Sequence, residues 1–169
     1  MGEAWRVLLA MKSMRLCLVA ALLLTGLTLP AWSQDSTIQN RTRTFLDAYA
    51  KGDREAIAKL IDPVNITMYG SDKAEIVHGS DAVFKLLSED QQLWGGAVHF
   101  GAMEQISLIQ NHSLASIVFN VPFVMGDRPP MPIRVVALWK REGRKWLLIQ
   151  SSNTALTEHQ SASELLRHP

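Results

Sequence analysis

Near neutral pH, protons are moved mainly by histidine, carboxylate and perturbed tyrosine side chains, so the places where chemistry could occur are sought among these first. The five histidines, His78, His99, His112, His159 and His168, show no His-Glu-x-x-His or other metal-ligand spacing, and the chain carries no glycine-rich phosphate loop or nucleophile elbow. No metal and no cofactor is therefore expected. His112 falls in a turn, and His159 and His168 in a polar tail, which makes them solvated surface. His99 differs, because it lies between Val98 and Phe100 in a strand-like run, on the parity of Gly101 and Met103. If that parity faces an interior hollow, His99 is a candidate general base; otherwise it is a half-exposed histidine on a sheet.

Tyr69 ends a short β-type segment and could donate a hydrogen bond into a pocket while its ring forms wall, the plainer alternative being a packed ring with its hydroxyl at the surface. Gln150, Ser152 and Asn153 interrupt an apolar strand just after Trp146-Leu147-Leu148-Ile149. If buried, these polar groups need partners, and a ligand is one way to supply them. Asp47 and Glu104 are the carboxylates nearest the inferred core, each more simply a solvent-facing residue of its element. Arg134, between Ile133 and Val135, suits an ion pair across a dimer interface better than an anionic ligand.

The elements that must position these groups follow from periodicity. Ile38, Phe45, Leu46 and Tyr49 recur at helical spacing and mark one buried stripe on a helix over about 36–50. Gly52 suits the left-handed position past its end, and Asp53 caps a second short helix carrying Ala56, Ile57, Leu60 and Ile61 and stopping before Pro63. Residues 65–69 and 74–78 are short strands about the Gly70-Ser71-Asp72 turn. Ser80 is a plausible N-cap for a third helix ending near Gln91, with Val83, Phe84, Leu86 and Leu87 on its buried side. From Ala97 the period becomes two, giving four long strands at about 97–110, 113–125, 131–141 and 145–155. The fold class is α+β, with helices packed on one side of a curved antiparallel sheet.

Several of these strands are apolar on both faces, as in Val135-Val136-Ala137-Leu138-Trp139, whereas an antiparallel sheet with one wet face should alternate. A second copy of the chain in a two-fold homodimer is expected to cover the other face.

Composition bounds the rest. The 169 residues, 47% hydrophobic and 20% charged, are those of an ordinary globular protein. Leu16 to Leu29 is an uncharged run, too short for the roughly 20 residues of a membrane span and preceded by Lys12 and Arg15. Pro30 and Ala31-Trp32-Ser33 follow it, so residues 1–33 are expected to be an export signal, cleaved to leave Gln34 first. Met11 or Met14 would make a cleaner start than Met1, since Met1–Ala10 adds a second apolar patch and the acidic Glu3. The expected location is periplasmic or secreted, with membrane contact only through the uncleaved leader. Residues 34–157 then form one domain and 158–169 a polar tail. The single cysteine, Cys17, lies in the leader, which leaves the domain without a thiol. Of 17 Lys and Arg, Arg6, Lys12 and Arg15 precede Gln34, and of 16 Asp and Glu only Glu3 does, which leaves 14 against 15 in the domain. Nearly neutral and interspersed, this charge argues against a nucleic-acid surface. Asn40-Arg41-Thr42, Asn65-Ile66-Thr67 and Asn111-His112-Ser113 match the N-glycosylation acceptor pattern, which matters only in a eukaryotic host.

Three segments carry a resemblance: Phe45-Leu46-Asp47-Ala48-Tyr49-Ala50-Lys51-Gly52-Asp53, His78-Gly79-Ser80-Asp81-Ala82-Val83 and Arg144-Lys145-Trp146-Leu147-Leu148-Ile149. With the order of elements, they make the chain from about Thr37 to Leu156 resemble the nuclear transport factor 2-like superfamily, and within it the SnoaL-like branch of small bacterial proteins. The resemblance implies a cone, a sheet curled around the long first helix with an apolar cavity at its open end. It also implies that Phe45, Tyr49, Tyr69, His99, Gln150 and Ser152 line that cavity and contact a small apolar molecule. Family members include isomerases or cyclases, hydrolases or dehydratases, and non-catalytic ligand or partner modules, and fold alone does not choose among them. Ketosteroid isomerase chemistry needs a carboxylate base and an oxyanion hole of a tyrosine and a protonated aspartate. Matching Gly52-Asp53 to that family's Gly-Asp places Phe45 at the tyrosine, Tyr69 at the base and Val135 at the second acid, so all three roles are vacant. The expectation is a binding protein, with an isomerase, cyclase or dehydratase using His99 and Tyr69, or a partner-binding module, as the alternatives.

Overall fold

The computed structural model describes residues 32–157, with side chains from 37 onward. The described residues from Gln34 onward form one compact unit, which contains the sheet. The expected leader up to Ala31 and the expected tail from Glu158 lie outside the described residues.

Helix α1 spans Trp32–Lys51 and buries Ile38, Phe45, Leu46 and Tyr49, the stripe expected from its spacing, together with the polar Thr42. It ends at Gly52, whose φ of +67° is left-handed backbone that a side chain disfavours. Asp53 then caps α2 (Arg54–Ala58), its carboxylate accepting from the Ala56 amide at 2.9 Å. This helix is shorter than expected. Leu60 and Ile61 leave it to pair with the last strand: the Leu148 amide donates to the Leu60 carbonyl and the Asp62 amide to the Leu148 carbonyl. Asp62, almost fully buried, closes the following turn by accepting from the amides of Val64 and Asn65 and from Asn65 Nδ2. The Asn65 bonds are the chief reason its carboxyl lies below the usual range.

Strands β1 (Thr67–Tyr69) and β2 (Ile76–His78) form the expected hairpin. Helix α3 (Gly79–Trp94) starts two residues earlier than expected, with His78 and not Ser80 in the cap position. No side-chain cap is needed, because the Gly79 and Ser80 amides already donate to the carbonyls of Ile66 and Pro63. The helix runs on to Trp94 and ends in left-handed Gly95.

The expected strand at 97–110 is two strands, β3 (Val98–Phe100) and β4 (Glu104–Gln110), both antiparallel to β5 (Leu114–Met125). The break has a cause on the facing strand. Pro122 has no amide to continue the ladder, so Gly101 donates to its carbonyl at 2.8 Å, with the ring packed where a Cβ on Gly101 would lie. The Arg43 guanidinium donates to the carbonyls of Phe100 and Gly101, tying α1 to this bend. Strands β6 (Met131–Glu142) and β7 (Lys145–Ala155) complete a curved, unclosed sheet of seven strands in the order β2-β1-β7-β6-β5-β3, with β4 also on β5. The β1–β7 pair is parallel, which makes the sheet mixed.

The concave face buries Ile117, Phe119, Val121, Val135, Ala137, Trp139 and Leu148 in one core with the α1 stripe. At its centre the Trp139 indole Nε1 donates to Thr42 Oγ1 at 3.1 Å, and that hydroxyl donates to the Ile38 carbonyl at 2.8 Å.

Candidate functional site

The fold leaves a cavity of about 250 Å³ between α1, α3 and one end of the sheet. Its floor is the buried set Phe45, Leu46, Tyr49, Met68, Ile133 and Val135, while the exposed Tyr69, Leu93 and Met131 stand at its mouth. Five aromatic rings run through this region in sequence. Centroid separations are 5.9 Å for Phe45 to Tyr49 and for Tyr49 to Trp94, 5.3 Å for Trp94 to Phe123 and 5.6 Å for Phe123 to Phe100. These are the distances of attractive tilted and edge-on ring contacts, so the wall is rigid as well as apolar.

Of the residues expected to line a cavity, Phe45, Tyr49 and Tyr69 do so. His99, Gln150 and Ser152 do not. His99 is exposed opposite Val124, on the outward parity of β3, and its neighbour Phe100 points inward. The break at Gly101 separates the parity of His99 from that of the residues beyond it. For Gln150 and Ser152 the cause lies within their own strand. Trp139 pairs with Leu148, but Leu138 pairs with Gln150, so Ile149 is the extra residue of a bulge that reverses the alternation along β7. Ser151 and Asn153 face the cavity in their place. A catalytic role for His99 at the cavity therefore fails on geometry.

The other candidates are accounted for by local partners. Asp47 pairs with Arg43 at 2.8 Å one turn away on α1. Arg134 Nε donates to Asn120 Oδ1 at 3.0 Å on the outward face, and Asn120 Nδ2 donates to Gln105 Oε1. Glu104 is exposed beside the irregularity at Gln105, whose φ is +50°.

Of the titratable pair that does reach the cavity, Tyr49 is among the residues expected from the sequence and Asp90 is not. Tyr49 donates its hydroxyl proton to Asp90 Oδ2 at 2.7 Å, joining α1 to α3. Partial burial raises the Asp90 carboxyl above the ordinary carboxylate range, against the opposing hydrogen bond from Tyr49 and with help from the charges of Glu75 and Glu89. Burial and the same carboxylate drive the Tyr49 phenol upward, so it stays protonated. A signal for Asp90 exists in the sequence: it lies seven residues after Val83 and three after Leu87, on the buried stripe of α3. Gln91, next to it, donates through Nε2 to the Tyr49 and Ala50 carbonyls at 2.9 and 3.3 Å and fixes the register of the two helices. No cluster of three or more metal-ligating side chains occurs among the described residues.

Compared by sequence, the chain matches no protein-family model and none of the curated proteins. Solved structures do match it. A nuclear transport factor 2-like protein of unknown function from Pseudomonas putida is 18% identical, covering 77% of this chain and 92% of that one with a TM-score of 0.66. A protein of the same fold family from Streptomyces avermitilis, proposed to be a dehydratase, is 10% identical and covers 76% of this chain and 99% of that one at 0.63. A proposed ketosteroid isomerase from Parabacteroides distasonis is 17% identical, with 66% and 81% coverage at 0.54. Element order, the curved mixed sheet around α1 and these neighbours agree: the chain has the fold of the nuclear transport factor 2-like superfamily.

Proposed function

We propose that the chain binds a small, mostly apolar molecule in the cavity between α1, α3 and the sheet. The observation that carries this is the hollow itself: about 250 Å³ walled by an unbroken run of aromatic rings, space that a packed core would have filled. The three positions matched to ketosteroid isomerase chemistry all face it, and Phe45, Tyr69 and Val135 offer no carboxylate there. That favours binding over isomerisation of that kind.

The test is a thermal-shift screen of the purified chain against single-ring aromatics and short-chain lipid metabolites, since a ligand bound by the native state alone must raise its stability. At a concentration 100 times Kd the gain is about 2.7 kcal/mol. Ser151→Phe, which places a ring in the hollow, should abolish the shift while the variant stays folded. If no compound of these classes shifts the midpoint, or if the Ser151→Phe protein responds as the parent does, the proposal fails.

Export and self-association complete the proposal. Leu16 to Leu29 and Ala31-Trp32-Ser33 support a cleaved leader, and the outward sheet face, where Val118, Val136, Leu138 and Ile149 are partly exposed, supports a two-fold dimer. Protein recovered from outside the cytoplasm should begin at Gln34 and scatter light as twice the mass of its chain. A retained leader contradicts the first claim, and a single-chain mass at micromolar concentration contradicts the second.

A further inference from the structure

The cavity is lopsided in charge. Its charged lining side chains are Glu75 and Asp90, both carboxylates, with no Lys, Arg or His among the described lining residues. Asp90 sits deeper, on α3, and Glu75 stands at the mouth, after the β1–β2 turn. The turn is built around Glu75. Gly70 donates its amide to the Glu75 carbonyl at 2.8 Å, and the Asp72 amide donates to Glu75 Oε2 at 3.2 Å. A Cβ on Gly70 would lie 1.9 Å from Glu75 Oε2 and 2.6 Å from its Cβ, so only glycine leaves room for this side chain where it stands.

The hydrogen-bonding capacity is equally one-sided. Tyr49 gives its only hydroxyl proton to Asp90, which leaves its oxygen as an acceptor. The aromatic faces beside it are themselves attractive to cations, through the negative charge above the rings. An anionic ligand would meet like charge, and a neutral one would leave two carboxylates to be desolvated without a counter-charge.

From this combination we infer that the ligand is an amphiphilic amine: a protonated ammonium held between Asp90 and Glu75, with an apolar body lying on the Phe45–Tyr49–Trp94 rings. The inference rests on the proposal that the cavity binds an apolar molecule, and it names the chemical class. The cavity volume equals about eight waters at the liquid share of roughly 30 Å³ each, which limits the body to a single ring or a short alkyl chain.

Matched probes separate the two claims. Calorimetric titration of the purified chain with 2-phenylethylamine, 2-phenylethanol and 3-phenylpropionate, and with octylamine, 1-octanol and octanoate, holds the apolar body fixed while the head group changes from cation to neutral to anion. Each ammonium should bind at least tenfold tighter than its alcohol, with the carboxylate weakest. Asp90→Asn and Glu75→Gln should each erase most of that preference, the ammonium binding more weakly than to the parent and the alcohol at least as tightly. Gly70→Ala, which displaces Glu75 without removing it, should weaken amine binding in the same direction. Alcohols that bind as well as the amines, or amine binding indifferent to both carboxylate substitutions, would overturn the amine assignment and leave the apolar-ligand proposal standing. No binding by any of the six would overturn both. Glu75 is exposed, so Glu75→Gln remains a valid probe should Asp90→Asn fail to fold.

Discussion

Trp139→Ala should remove about 3–5 kcal/mol of stability, the usual result of emptying a large aromatic site in a packed core. Against a total of about 5–15 kcal/mol for a single domain, that is enough to leave a substantial unfolded fraction at moderate temperature. The size of the effect follows from where the ring sits. Trp139 is fully buried in the C-terminal half of β6, paired to Ala115 on one side and Leu148 on the other. Its indole N–H reaches across to Thr42, so it is also the polar link between the sheet and α1. Thr42→Val isolates that link. The volume is kept, but the buried indole N–H loses its acceptor, at a cost of about 1–3 kcal/mol. Trp139→Phe removes the donor and part of the ring, while Thr42 keeps its bond to the Ile38 carbonyl. Combining Thr42→Val with Trp139→Phe should therefore cost less than the sum of the two, because one interaction is being removed twice. Urea denaturation followed by circular dichroism measures the four variants against the parent. A Trp139→Ala loss below about 1 kcal/mol, or strict additivity of the pair, would mean that the centre of the sheet does not hold α1 as described.

The helical half and the meander are legible in the sequence because each element repeats its signal. The α1 stripe from Ile38 to Tyr49 spans three turns, and β5 and β6 are long strands of 12 residues each, so a local error does not hide the element. The direction of individual side chains is not legible at irregularities of a single residue. One bulge at Ile149 exchanges Gln150 and Ser152 for Ser151 and Asn153 at the cavity, and nothing in Trp146-Leu147-Leu148-Ile149 announces it, since every residue there is apolar. The interruption at Gly101 has a sequence cause, but that cause is Pro122, 21 residues away on another strand, and the register that brings them together is known only from the fold.

The same distinction explains why only half of the site shows in the sequence. Phe45 and Tyr49 are placed by the helix stripe, which buries both without regard to chemistry. Asp90 is easily passed over because it stands in the polar run Ser88-Glu89-Asp90-Gln91-Gln92, although the face it occupies continues to Trp94 at the cavity. A carboxylate on an otherwise buried stripe needs a partner, and Tyr49 supplies it from 41 residues away. His99 is the more familiar proton carrier, yet strand parity sends it to solvent.

Asp90→Asn is expected to make the unliganded protein more stable at pH 7, an unusual outcome for removing a hydrogen-bonded side chain. The substituted amide keeps a carbonyl oxygen that can still accept the Tyr49 proton, so the bond survives while the charge goes. In the parent, the Asp90 carboxyl is raised above its unfolded value, chiefly by burial and further by Glu75 across the cavity and Glu89 beside it, with Tyr49 alone opposing. The native state thus prefers the protonated form. Its stabilising contribution is complete below the unfolded pKa of about 3.9 and is lost as pH rises through the higher folded value. The advantage of Asp90→Asn should accordingly be present at pH 7, shrink on acidification and vanish below about pH 4. Glu75→Gln should give a smaller advantage of the same sign, since it removes one of the charges that disfavours Asp90 ionisation. Thermal midpoints of the three proteins across this range provide the measurement, and a pH-independent loss of stability in Asp90→Asn would show that the ionised carboxylate is favoured by its surroundings instead. Adding 2-phenylethylamine should reverse the order at pH 7: an ammonium supplies the missing counter-charge, so the parent gains stability that the variant cannot. A carboxylate that destabilises the empty protein and stabilises the occupied one is what a binding group costs when its partner is absent.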